Sequence, residues 1–230
     1  TWSNTANYSL EIQRNRFDFL VGMEAIKNDY QEMLGYKEGF ADQSVDYFQF
    51  SAGTGVATNS GYRTGHQLLS YFGKVNYSWA DKYLASATLR VDGSSRFGEN
   101  NRFGFFPAFT LGWRIDKETF MANLDFLSNL KLRAGYGIVG NQEIGDEARF
   151  GLYATNYGSQ SGNRITGTAY DLYGAGTGNL PSGYVATQIA NPNLRWESTS
   201  ELNFGLDFGF FDEKIIGSFD YFSRNTEDIL

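Results

Sequence analysis

The chain has 230 residues, a formal net charge of −7, no cysteine and one histidine. This excludes a disulfide framework, thiolate metal sites and multi-histidine centres, and an acidic chain without a basic stripe is a poor partner for nucleic acid. With 20 Phe, 15 Tyr, 4 Trp and 27 Gly against 3 Pro, it is built for strands and turns, in one large β domain or two small ones.

Taken in order, the sequence predicts eight main strands. The first covers 6–13 and the second 16–26, where Phe17, Phe19, Val21, Met23 and Ala25 alternate with Asp18, Gly22 and Glu24. A long irregular insertion, 27–66, follows, with a short helix expected near Asp29–Leu34. Strands at 68–79 and 82–92 form a hairpin turning at Ala80-Asp81, and a fifth covers 103–115. The connector 116–128 carries Phe120, Leu124 and Leu127 at helical spacing. Strand six is 129–139, a loop rich in Gly, Ser, Asn and Tyr fills 140–197, and strands at 199–210 and 214–224 meet at Phe211-Asp212-Glu213.

Mean hydropathy is −0.40. No run of about 18 apolar residues exists, so no helix in this chain spans a membrane, but a barrel strand is only half apolar and escapes that test. Alternation alone fits a soluble sandwich as well as a barrel. Length separates them, because sandwich strands average about 5–6 residues and tilted membrane strands need about 9–11. Trp79, Tyr83, Trp113, Phe210 and Phe211 all fall beside the short-turn ends, where a barrel carries an aromatic girdle. Short connections alternate with long ones, and the 92–101 turn lies on the side of the long loops, as in outer-membrane barrels. The expected fold is therefore all-β: an antiparallel transmembrane β-barrel segment with long external loops and short periplasmic turns.

Gly135-Tyr-Gly-Ile-Val-Gly140 matches a dinucleotide-binding pattern, but no helix-forming stretch follows it; its glycines read as thinning one face of a strand. Asp42 and Asp46 lack the glycine and glutamate of a calcium loop and read as a solvated loop. His66 reads as a surface-loop histidine, since no Ser/Asp partner pattern accompanies it. No acid/base carboxylate pair is visible, so no catalytic residue, metal ligand or cofactor is expected. Arg90, Asp92, Arg96, Arg102, Arg114, Lys131 and Arg133 suit a sugar- or anion-binding cluster or a charge ladder on a water-filled lumen, and the ladder is favoured. Lumen-lining residues are expected to be Arg90, Asp92, Arg114, Lys131, Arg133, Asn203 and Asp207. The loop tyrosines Tyr153, Tyr157, Tyr170 and Tyr173 suit stacking on a substrate and packing within the loop equally.

Several segments together resemble the SusC/RagA-type TonB-dependent transporters of the bacterial outer membrane. They are Ser70–Tyr77, Arg90–Gly98, Phe106–Ile115, Leu130–Gln142, Asn191–Glu197 and Asn203–Phe208, in matching order and spacing over most of 17–228. The resemblance implies a barrel of about 22 strands with an N-terminal plug. It also implies a SusD-like lid lipoprotein, energy from TonB, and glycans or peptides as substrates. The chain would then be a barrel-domain fragment, 1–230, lacking the plug and the later strands. Its opening reads as the middle of a running sequence, so the missing signal peptide says nothing of location. The competing expectations are a non-transporting structural or adhesive barrel and a soluble β-sandwich binding module or glycan-active enzyme.

Overall fold

The computed structural model describes residues 1–41, 49–124, 126–154, 159–161, 164–166 and 184–229. Its long strands are β1 (Trp2–Ile12), β2 (Asn15–Tyr36), β3 (Thr58–Trp79), β4 (Tyr83–Ser94), β5 (Phe103–Arg114) and β6 (Leu127–Asn141). Four short strands follow, β7 (Leu152–Ala154), β8 (Ser159–Ser161), β9 (Arg164–Thr166) and β10 (Val185–Gln188); the long β11 (Glu197–Phe210) and β12 (Ile215–Glu227) complete the chain. The eight long strands make one antiparallel sheet in the order β1-β2-β3-β4-β5-β6-β11-β12. Every long strand lies beside its predecessor among the long strands, so the sheet is a plain meander. The short strands form two separate ribbons, β7 with β10 and β8 with β9, inside the 142–196 connection.

Register determines what each face carries. One row across the sheet reads Phe17, Tyr77, Ala85, Leu111, Ala134, Phe204 and Tyr221. The row beside it on the same face reads Trp79, Tyr83, Trp113, Leu132, Leu206 and Phe219. Among the described residues these side chains meet no second layer. Phe109 is 54% exposed and Leu111 64%. Among the described residues only Phe97, Phe106 and Trp196 are buried hydrophobics, far too few for the core of a soluble sandwich of this size. The apolar face is therefore satisfied by lipid. Within its second row Trp79 and Tyr83 have ring centroids 5.5 Å apart, and Tyr83 and Trp113 6.3 Å, so three of the five girdle aromatics expected from the sequence form one band, while Phe210 stacks separately on Phe126 at 6.2 Å.

The short-turn ends use left-handed backbone. Ala80 and Asp81 (φ 51° and 53°), and Phe211, Asp212 and Glu213 (55°, 56° and 61°), hold positive φ without glycine. Lys82 N–H donates to the Trp79 carbonyl at 2.9 Å, which closes the first of these turns.

Two expectations are overturned. The helix near Asp29–Leu34 does not form, because residues 27–36 continue β2 and pair with 58–67 of β3. All of 27–36 is exposed on both faces, so no side is forced to be apolar and the period-two signal vanishes although the ladder persists. At 22 residues each, β2 and β3 run roughly 70 Å, well past an apolar band about 25 Å tall. The connector 116–128 is not an α-helix either. It contains 3-10 turns at Ile115–Lys117 and Thr119–Met121. Phe120 is exposed, so the helically spaced apolar residues have no partner surface to reward a helix.

Leu206→Arg, on the apolar face in the row that carries the girdle residue Trp113, is expected to cost on the order of 1 kcal/mol, the interfacial end of the range for a lipid-facing arginine, and to lower the yield of assembled full-length barrel. Asp207→Asn, on the opposite face, is expected to be mild, since Arg133 keeps Asp220 at 3.1 Å. The amount of folded, heat-modifiable receptor in membranes checks this, and the reverse ranking overturns the assignment of faces.

Candidate functional site

Arg90, Asp92, Arg114, Lys131, Arg133, Asn203 and Asp207 all lie on the face opposite the girdle. The register shows it: Arg114 faces Lys131, which faces Asp207, while Arg133 lies between Gly112 and Gly205. Asn203 pairs with Gly135, Arg90 with Phe106, and Asp92 with Gly104. This polar face encloses a trough of about 1080 Å³ that includes Arg133 and Asn203.

The charges do not form one cluster. Arg133 is the hub of the first set, with Nε and Nη2 each donating to Asp207 at 2.8 Å and Nη2 also 3.1 Å from Asp220 on β12. A methyl at Gly205 would lie 2.7 Å from the Arg133 guanidinium carbon, so that glycine gives the hub its space. In the second set Arg90 Nε donates to Asp92 at 2.7 Å and Nη2 to Ser70 Oγ at 2.9 Å, with Glu24 3.8 Å away. Arg114 is held by Asp116 at 3.1 Å. Lys131 faces Asp207 in register yet makes no ion pair among the described residues. Cross-strand pairing was readable as a principle, but which carboxylate each cation takes depends on glycine gaps and turns.

At the long-loop end of the same face sits the small aromatic core. The Phe97 and Trp196 centroids are 4.7 Å apart, and Phe106 meets Trp196 edge-on at 5.3 Å. Trp196 Nε1 donates to the Arg102 carbonyl at 2.9 Å. Backbone approach is close here. A Cβ on Gly98 would fall 1.9 Å from the Pro192 carbonyl oxygen, and one on Gly140 would fall 2.1 Å from Phe106. Asn101 Nδ2 donates to the Asn193 carbonyl at 2.9 Å. The Arg90–Gly98, Phe106–Ile115 and Asn191–Glu197 motifs are thus parts of one collar that fastens the β4–β5 turn to the segment before β11. Gly135–Gly140 lies wholly within β6; no helix opens there to receive a phosphate.

A second fastening corrects the reading of His66 as a surface-loop residue. It lies in β3 with its side chain 16% exposed, because the ladder continues past the expected loop boundary. Its Nδ1 is 3.0 Å from Asp146 Oδ1 and its Nε2 2.9 Å from Asn28 Nδ2. Arg96 Nε donates to Asp146 at 2.8 Å and Thr64 Oγ1 at 2.8 Å. Burial pushes the Asp146 carboxyl up, but hydrogen bonds from Arg96 and Thr64 and the nearby His66 outweigh it, leaving the group below its ordinary value.

Sequence reasoning missed Glu118, whose carboxylate accepts from Tyr83 Oη at 2.8 Å, Lys82 Nζ at 3.0 Å and Trp113 Nε1 at 3.2 Å. It ties two girdle aromatics to the connector, and an acid flanking such residues at a short-turn end was the available signal. Of the loop tyrosines, Tyr153 lies in β7 and is exposed; Tyr157, Tyr170 and Tyr173 lie outside the described residues, as do Asp42 and Asp46. Among the described residues no group of three or more His, Cys, Asp or Glu is placed to hold a metal.

Residues 1–230 match the family model described as TonB dependent receptor-like, beta-barrel. The chain is 38% identical over 227 residues to the TonB-dependent receptor SusC of Bacteroides thetaiotaomicron, covering 97% of this chain and 20% of that protein. It is 32% identical over 230 residues to the TonB-dependent receptor P26 of Formosa agariphila, covering 99% and 22%. Its fold is similar to the RagAB peptide importer in the closed-closed state, with a TM-score of 0.82 and 27% identity over 99% of this chain and 23% of that one. The chain therefore spans about a fifth of the length of the curated relatives it matches.

Trp196→Ala is expected to loosen the collar by about 3–5 kcal/mol and to speed proteolysis within 184–195 of the folded receptor at least tenfold, with Trp196→Phe milder; equal rates would show that the collar does not hold this segment. Because the folded Asp146 value is depressed, its fastening is fully present above the ordinary aspartate pKa of about 3.9 and is lost as pH falls through the lower folded value. Hydrogen exchange in 142–150 is expected to rise across that acidic window in the parent protein, and Asp146→Asn is expected to show high exchange throughout.

Proposed function

The chain belongs to the TonB-dependent receptor β-barrel family of outer-membrane proteins, of the SusC/RagA type, and from that premise we propose that it supplies barrel wall and external loops to an importer of glycans or peptides. The polar face is its lumen wall and the apolar face its lipid wall. The single observation that carries this reading is the two-faced sheet: a girdle-bearing surface with nothing packed on it, backed by a trough holding Arg133 and Asn203. We place 1–230 within the barrel domain, with the plug and the remaining strands elsewhere in the receptor.

The mechanism follows from these surfaces. A SusD-like lid lipoprotein delivers the molecule to the external loops. TonB then displaces the plug, and the molecule passes along the polar wall. The wall's part is passive: it offers hydrogen-bonding side chains and paired charges that a hydrated solute exchanges with water at little net cost. Fixed salt bridges such as Arg133–Asp207 keep the wall from binding its passenger too firmly to release it. The likenesses to the RagAB peptide importer and to SusC support import.

Residues 1–230 contain no cysteine, so labelling at a new site is read against the same receptor without the added cysteine. In the full-length receptor, Asn203→Cys is expected to react with a water-soluble maleimide and Phe204→Cys to resist it. A strain lacking the receptor is expected to lose growth on one class within a panel of oligosaccharides and peptides given as sole carbon source. Growth and uptake equal to the parent strain on every member would overturn import in favour of a structural barrel.

A further inference from the structure

Beyond the sheet's lipid-facing part, the β2–β3 arm and the 142–150 segment enclose a cleft of about 500 Å³. Asn28, Thr64 and His66 line it from the arm, Arg102 from the β4–β5 turn, and Arg149 and Phe150 from the segment after β6. The arm residues share the polar face, since Asn28 pairs with His66 two steps beyond the Ile26–Leu68 pair and four beyond Glu24–Ser70. The cleft therefore opens on the side of the trough, away from lipid.

Its carboxylates are paired while two of its arginines are not, among the described residues. The two lining carboxylates are already engaged: Asp29 by Lys27 at 3.1 Å and Arg63 at 3.6 Å, and Asp146 by Arg96 at 2.8 Å and His66 at 3.0 Å. Glu143 lies 3.9 Å from Arg96, and Glu147 accepts from Thr64. Arg102 and Arg149 make no ion pair among the described residues. Arg149 Nε is buried and has no hydrogen-bond partner among the described residues. Its guanidinium is stacked 4.2 Å over the Phe150 ring, which fixes the plane of the fork. A desolvated guanidinium N–H without an acceptor is costly, and the fork matches the two oxygens of a carboxylate or sulfate.

Two register steps beyond Asn28–His66, Tyr30 pairs with Thr64, and four steps beyond it Tyr62 pairs with Glu32. The two tyrosine rings lie 5.6 Å apart and are 49% and 55% exposed. Exposed aromatic faces beside a cationic cleft suit a ring or planar amide that carries an acid group.

We propose that this cleft is a binding site for an oxyanion, carboxylate or sulfate, borne by the molecule being imported: Arg149 and Arg102 take the anion, and Tyr30 and Tyr62 stack on the group that carries it. The inference deepens the import reading and rests on it for the source of the anion; the alternative source of the same chemistry is a phosphate headgroup.

Calorimetry on the full-length receptor in detergent at low salt tests this without any transport step, so its failure is distinct from a failure of import. The probes are glucuronate against glucose, dialanine against its C-terminal amide, and inorganic phosphate. At least one carboxylate probe is expected to bind tenfold or more tightly than its neutral twin, and the Arg102→Gln/Arg149→Gln receptor is expected to lose that difference while keeping its heat-modifiable fold. Tyr62→Ala is expected to weaken the carboxylate probe but not phosphate. Equal binding within both twin pairs, a difference that survives the double substitution, or arginine-dependent binding of phosphate alone would each overturn the proposal.

Discussion

A strand in lipid has no water to satisfy its backbone, so each N–H and C=O must find its partner in the adjoining strand. That demand accounts for the meander, since a hairpin to the next strand in sequence is the shortest way to supply every strand with a neighbour. The inter-strand ladder then imposes period two on the side chains, and the two sides of the wall become chemically different surfaces. In β11, Leu202, Phe204 and Leu206 share one side, while Asn203, Gly205 and Asp207 share the other. A slip of one residue would exchange the faces completely. The cross-strand contacts on both sides, Tyr83 with Trp113 and Arg133 with Asp207, oppose such a slip.

Glycine and aromatic residues divide the remaining work. On the polar face Gly205 leaves room for the Arg133 guanidinium, and at the collar Gly98 and Gly140 let backbone and ring approach more closely than any Cβ allows. Aromatic rings lock both ends of the lipid-crossing region. Glu118 ties Tyr83 and Trp113 to the connector at one end, and Trp196 ties the β4–β5 turn to the segment before β11 at the other. The family-like motifs thus record close approach and fastening, which explains why they name an architecture and carry no chemistry of their own.

The sequence was most legible where one face must be apolar. Strands at 68–79, 82–92, 103–115, 129–139 and 199–210 correspond to β3–β6 and β11 because lipid on one side and water on the other force alternation there. It was misleading where both faces meet water. Residues 27–36 keep the ladder but lose the pattern, so the arm read as loop and helix. His66 followed the same error, since a histidine judged to be in a loop was not sought beside Asp146, 80 positions away in sequence and 3.0 Å away in space. Face membership of the seven polar residues was readable from parity alone. Their pairing was not, because it depends on which neighbour is a glycine and which turn supplies an acid, as Asp116 does for Arg114.

The arm also differs from the lipid band in what its side chains are free to be. Within the lipid band each polar side chain shares a short strand segment with an apolar neighbour, and register leaves little freedom to rearrange it. Salt bridges such as Arg133–Asp207 and Arg133–Asp220 satisfy charges of the wall internally. Past the band, 27–36 and 58–67 are released from the apolar requirement, and both faces are free to carry Tyr, His, Arg and Asn. There the ladder still supplies rigidity, so side chains are held in fixed positions on a structure whose composition is unconstrained. The unpaired Arg102 and Arg149 likewise lie past the band, in the β4–β5 turn and after β6, whereas an unpaired arginine on the lipid face of a strand would be costly.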